Sequence, residues 1–312
     1  MYRRIVGVIR WQCRPINILK TLTSLIVIWL LLDFSYSRYV AHRIKTWEAT
    51  VKRGPDGVRQ GSHAFQTGKG STALLMIHGL NDGPPTFRRM ASRLADQGFY
   101  CRAMRLPGFA ETVERYASSG MHQWLEKIHQ EVSELRKNHQ RVCLVGHSLG
   151  GALSIAYVRQ NSNQVDSVVL LGPAIEPSNE RSWLLPTRTW QGIAKRIVWF
   201  TTTTSNPFEA DCHDPKGRDY AWRTPFSPRH TIAEAFKLID FNRGRANEIE
   251  NAVLMVLSYE DQVIDWRQAR QFYYELNSSR KDLLVTKDSG HMIPIDYDWE
   301  EVSDRIATFC RK

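Results

Sequence analysis

The sequence is poor in the features that would mark a metal protein, a disulfide scaffold or a repeat. Its five cysteines (Cys13, Cys101, Cys143, Cys212, Cys310) show no CxxC and no metal-type spacing. An odd count at wide separation argues against a disulfide framework, and Cys101 and Cys143 fall inside apolar runs, where a small buried thiol packs like any hydrophobe. No internal repeat and no low-complexity tract appears. Beyond one N-terminal apolar stretch there is no second hydrophobic span. Basic charge is also scarce where a nucleic-acid binder would need it. The net charge is +10, but residues 1–60 carry eleven Lys/Arg against Asp33, Glu48 and Asp56, which leaves only +2 for residues 61–312. A nucleic-acid partner is therefore not expected, because such proteins carry their basic surface on the folded domain. Basic residues around an apolar segment suit anionic lipid headgroups better.

What is present begins with that segment. Residues 21–32 (TLTSLIVIWLLL) are uncharged, and residues 16–37 make a stretch with Lys20 and Asp33 near its ends. Its length approaches a membrane span, and Lys20 can reach the interface along its own stem. Two readings fit: a single-pass anchor, or a signal peptide cleaved near Ser35-Tyr36-Ser37 to leave a secreted or periplasmic protein. The long basic region before the run and the absence of an A-x-A favour the anchor. Residues 1–20 and 34–53 hold five Lys/Arg each, so charge gives no orientation. Residues 38–70 read as a linker and the entry to a folded domain, which then occupies 71–312.

From residue 72 onward, short apolar runs alternate with helix-period segments. Strands are predicted at 73–78, 99–104, 141–146, 166–171, 252–258 and 282–287, and helices at about 84–97, 120–138, 149–160, 266–276 and 297–310. Continuous apolar strands separated by helices imply an α/β fold: a mostly parallel central sheet covered by helices on both faces. The rhythm breaks between about 174 and 250. That region holds Trp183, Trp190, Trp199, Phe200, Phe208, Trp222 and Phe226, and reads as a helical cap insertion whose aromatics either pack together or line an apolar pocket.

The chemistry concentrates at Gly146-His147-Ser148-Leu149-Gly150, a G-x-S-x-G directly after the strand RVCLV and before a helix. That context demands a sharp strand-to-helix turn that exposes Ser148, with small residues at 146 and 150 to avoid clashes. An attacking hydroxyl creates an oxyanion that needs positioned N–H donors. The N–H of Leu149, opening the helix, is one candidate. That of Leu80, in the turn Gly79-Leu80-Asn81-Asp82-Gly83, is the other. A serine also needs a base, and the base an orienting acid. His291, in Ser289-Gly290-His291 after the last strand, is the best-placed base. His147 should point elsewhere, His78 reads as structural, and His122, His129 and His139 as solvated. Asp261, after the strand AVLMVLS, is the preferred acid, with Glu260 and Asp265 as fallbacks.

The blocks LLMIHGLNDG, RLPGFAE, LVGHSLGG, LSYEDQVID and DSGHMI, in this order, resemble the α/β-hydrolase superfamily, and within it the bacterial carboxylesterase and monoacylglycerol-lipase-like branch. The resemblance covers residues 72–312. It implies a Ser148–Asp261–His291 triad, oxyanion donors at Leu80 and Leu149, and a serine hydrolase of carboxylic esters or lipids that needs no metal or organic cofactor. A peptidase or acyltransferase on the same fold is the alternative, and a catalytically silent binding protein a remoter one. One departure stands out: many relatives carry a G-H-G turn where this chain has Gly108-Phe109-Ala110.

Overall fold

The computed structural model describes residues 15–206, 208–220 and 222–312. Arg3, Arg4, Arg10, Arg14 and Cys13, part of the expected N-terminal segment, lie outside them. The described chain opens with one helix, α1 (Pro15–Thr50), of 36 residues. At 1.5 Å per residue it is about 54 Å long. The apolar side chains of its first half are exposed, Leu19 by 66% and Ile26 by 60%. The helix runs thirteen residues past residue 37, into the stretch expected as a linker. The cause is tertiary. Val40, Ile44 and Trp47 pack against Val113 and Phe226, giving this polar-looking stretch an apolar stripe to bury.

After a turn region come the edge strand β1 (Phe65–Thr67) and β2 (Thr72–Ile77). They are followed by α2 (Arg88–Asp96), β3 (Tyr100–Met104), α3 (Val113–Ala117) and α4 (Met121–Asn138). Then come β4 (Arg141–His147), α5 (Leu149–Gln160) and β5 (Ser167–Leu171). The chain next leaves the sheet for the segment expected as a cap. It holds α6 (Thr187–Ile197), β6 (Thr203–Ser205), α7 (Pro215–Arg218), β7 (Phe226–Pro228) and α8 (Arg229–Asn242). The sheet resumes with β8 (Ala252–Ser258), α9 (Trp266–Glu275), β9 (Lys281–Thr286) and α10 (Trp299–Cys310). The cap is not wholly helical, since β6 and β7 pair antiparallel as a small ribbon.

The main sheet has seven strands in the order β1-β3-β2-β4-β5-β8-β9. All its pairs are parallel except β1 with β3. The six strands read from the sequence are all present; β1 was missed because three residues carry no usable periodicity. β2 shows why these strands are apolar throughout. Successive side chains point to opposite faces. Ala73, Leu75 and Ile77 join a core with α4, α5 and α9, whereas Leu74 and Met76 join a second core with α2 and α10. Both faces are covered, so neither can be polar. Parallel pairing also brings the carboxyl ends of β4, β8 and β9 to one edge, the usual place for a site in such sheets.

Candidate active site

Ser148 sits between β4 and α5 at φ 52°, ψ −115°, a left-handed backbone setting that costs a non-glycine residue free energy. Such strain persists only where the surroundings fix it, and here they do. The Ser148 N–H donates to the Leu171 carbonyl (3.0 Å), and its own carbonyl accepts from Ala152 (3.1 Å) and Ala174 (3.0 Å). The flanking glycines are required by close approach. A Cβ at Gly150 would lie 2.0 Å from the Ile77 carbonyl oxygen, and one at Gly146 2.4 Å from that of Gly150.

His291 and Asp261 come together beside it, from the loops after β9 and β8. His291 Nδ1 lies 2.7 Å from Asp261 Oδ2, and both side chains are almost fully buried. A carboxylate can only accept, so Nδ1 carries the proton and Nε2 is left as the basic nitrogen. The other oxygen, Oδ1, accepts from the N–H groups of Val263 and Ile264, each at 2.8 Å. The fallbacks lie elsewhere: Glu260 is exposed, and Asp265 caps α9 by accepting from Arg267 and Gln268.

Leu80 and Leu149 line the same cavity of about 170 Å³ as Ser148 and His291. Leu149 is the first residue of α5, so its N–H has no partner within the helix. In the Leu80 turn the neighbouring donors are occupied. Asn81 N–H goes to the Tyr116 hydroxyl (3.1 Å) and Asp82 N–H to the Gly79 carbonyl (3.4 Å). His78 fixes this turn from below: Nδ1 donates to the Gly79 carbonyl (3.0 Å) and Nε2 accepts from Leu106 N–H (3.2 Å). Burial lowers its pKa to about 4, so it stays neutral, in keeping with a structural role.

The sequence pattern of the family described as serine aminopeptidase, S33, matches residues 68–298. The chain belongs to that family. Two similar proteins are a thermostable monoacylglycerol lipase of Bacillus sp. (strain H-257) and a carboxylesterase of Bacillus subtilis (strain 168). The first is 21% identical over 82% of this chain and 96% of that protein. The second is 20% identical over 78% of this chain and 94% of that protein. Among solved structures, one from a study of two metagenome-derived lipolytic enzymes has a TM-score of 0.72 at 20% identity, covering 81% of this chain and 99% of its own. The monoacylglycerol lipase of Paleococcus ferrophilus has a TM-score of 0.67 at 19% identity, covering 80% and 97%. The fold is that of the α/β-hydrolases, and the protein is esterase- and lipase-like among them.

For this S33-family chain, α1 lies outside the matched residues, whereas several features of its site that the sequence did not announce lie within them. The first is Asp211, from the cap. Its Oδ2 accepts from Gln262 N–H (2.9 Å) and His291 N–H (3.1 Å), its carbonyl accepts from Met292 N–H (2.9 Å), and Arg181 pairs with its Oδ1 at 3.1 Å. One carboxylate thus ties the loop of Asp261 to that of His291. The second is His147, whose Nε2 donates to the His291 carbonyl at 2.9 Å. Burial, then repulsion from His291, holds its pKa well below the usual value, so it remains a neutral strut for the His291 loop. The sequence reading had its side chain pointing away from the site. The third is a pair of charges lining the cavity, Asp82 and Arg223. Among the described residues, Asp82 Oδ2 and Arg223 Nε have no hydrogen-bond partner.

The aromatic cap residues divide between packing and lining a pocket, and none of the seven lines the Ser148 cavity. Trp183 is 79% exposed and Trp199 69%, and Phe226 is buried against α1. The cavity ceiling comes instead from α8, through Ile232, Ala235, Phe236 and Ile239. The Gly108-Phe109-Ala110 departure stays outside the cavity. Phe109 packs among His78, Tyr116 and Trp124, while Ala110 takes φ 58°, a conformation glycine adopts without strain.

Proposed function

We propose that the chain hydrolyses carboxylic esters through an acyl-serine intermediate. Ser148 is the nucleophile, His291 the general base, Asp261 the acid that orients it, and the N–H groups of Leu80 and Leu149 the oxyanion donors. His291 Nε2 takes the hydroxyl proton as Ser148 Oγ bonds to the ester carbon. The tetrahedral oxyanion then collapses, and the same proton passes to the departing alcohol. Water, deprotonated by His291, attacks the acyl-serine and releases the acid.

The observation that carries this reading is the His291–Asp261 pair at 2.7 Å, buried in the cavity that Ser148 and the two leucines also line. The apolar ceiling favours an acyl group as the bound half of the substrate. A peptidase reading draws on Asp82, whose unpartnered Oδ2 would accept a substrate ammonium. The neighbouring Arg223 charge opposes that cation, so the ester reading stands first. α1 fits a membrane anchor: residues 15–32 rise about 27 Å, near the roughly 30 Å of a hydrocarbon core.

The test is a fluorophosphonate probe together with panels of p-nitrophenyl esters and aminoacyl-naphthylamides. Labelling that is lost in Ser148→Ala and faster turnover of esters are expected. No labelling of folded protein would sink the serine mechanism, and preference for the amides would sink the ester assignment.

A further inference from the structure

A second, larger cavity lies between α1 and the cap. It measures about 870 Å³ and is walled by Trp29 and Leu32 of α1, by Trp190 and Ala194 of α6, and by Ile232 and Phe236 of α8. The last two also line the cavity over Ser148. They sit one helical turn apart, so the two spaces adjoin across these side chains.

The sizes differ in an informative way. The Ser148 cavity, at about 170 Å³, is small beside typical ligand sites of about 300–1,000 Å³, whereas the groove falls inside that range. The groove is also held open by construction. Asp33 of α1 accepts from the backbone N–H groups of Trp199 (2.7 Å), Phe200 (2.8 Å) and Thr201 (3.2 Å), and from the Thr201 hydroxyl (2.6 Å). Trp29 Nε1 donates to the Ile197 carbonyl at 2.9 Å. Arg229, on the same wall, is committed to the carbonyls of Val198 and Thr201. With these groups occupied, the surface left for a ligand is largely hydrocarbon. An unbranched acyl chain suits such a surface, and the Ile232 and Phe236 side chains that the groove shares with the Ser148 cavity place it next to the ester carbonyl.

We propose that this groove is an acyl-chain site, filled by the distal part of a long-chain ester whose carbonyl lies at Ser148. The proposal rests on the ester-hydrolase reading and adds a substrate class to it. One wall of the site is built by α1, which lies outside the residues matched by the family.

The experiment uses the full chain in detergent, with Ala194→Trp and Ala233→Trp each placing an indole in the groove. Neither residue lines the Ser148 cavity. With p-nitrophenyl esters, kcat/KM for laurate and palmitate should fall about ten-fold or more in both variants, because methylenes lose their buried place. Turnover of butyrate should stay as in the wild type, which also shows that the variants fold. An unchanged chain-length profile overturns the proposal, and so does an equal loss on butyrate in both variants. Binding of the fluorescent fatty acid parinaric acid to Ser148→Ala protein reads the groove without turnover. Weakening by either filling supports the site even if the wild type proves inert to every ester, a result that would count against the ester reading alone. Equal binding with and without the fillings overturns it.

Discussion

His291 Nδ1 donates to Asp261 Oδ2 across 2.7 Å, and the second oxygen of that carboxylate is fixed by two backbone N–H groups. Both oxygens are therefore committed before any substrate arrives. An amide at 261 keeps the volume but loses the acceptor that selects the Nδ1–H tautomer. Asp261→Asn is expected to lower kcat on a short ester by about 10⁴-fold, with the fold intact by circular dichroism. A rate within a few-fold of wild type would remove Asp261 from the mechanism.

The elbow makes a stability prediction. Ile77 cannot yield to a Cβ at position 150, because β2 is hydrogen-bonded to β3 on one side and β4 on the other. Gly150→Ala is expected to cost at least about 1–3 kcal/mol, the usual range for overpacking. Thermal unfolding checks it, and an unchanged Tm would contradict the 2.0 Å approach.

Asp211 reaches two loops and Arg181 at once. Asp211→Asn should remove about 1.5–3 kcal/mol, the range for hydrogen bonds to a charged group. Because the loss falls on the base loop, kcat should drop more than KM changes. A variant with wild-type kcat but lower Tm would show that Asp211 supports the fold without positioning His291.

Two buried groups set opposing pH slopes. His78 falls from an ordinary value of 6.5 to about 4 through burial, so its contribution is present above 6.5 and is lost as pH drops towards 4. Asp82 rises from 3.8 to about 6, also through burial, so its contribution is present below 3.8 and is lost as pH rises through 6. Each amounts to about 3 kcal/mol, so Asp82 offsets His78 between pH 4 and 6, while the lowered His147 adds a slope of the same sign as that of His78. Asp82→Asn should unmask the His78 slope, making Tm climb more steeply with pH across that window than in the wild type. Parallel Tm–pH curves for the two proteins would refute the assignment to Asp82.

The sheet was legible because its strands carry a local signature, and the proposed site residues carry one too. The run RVCLV ends in the glycine-flanked Ser148, and the acid and base follow later strands. Asp211 left no such trace, since it works by accepting from backbone N–H groups of loops distant in sequence. The same holds for residues 38–50, whose helix depends on partners at Val113 and Phe226 that hydropathy along the chain cannot reveal. The cap aromatics leave packing and pocket lining both open for a related reason: aromatic content says nothing about which side of a helix faces inward.

Asp33 carries a consequence for how deep the protein can sit. On the proposed anchoring, lowering α1 by one turn would drag this carboxylate, and the turn at 199–201 bound to it, into hydrocarbon. Burial of a carboxylate in hydrocarbon is unfavourable, and increasingly so towards mid-bilayer. Raising the helix by one turn would instead expose Leu32 and its neighbours to water. On that anchoring the clasp would work as a depth stop, setting the height of the folded domain above the lipid surface.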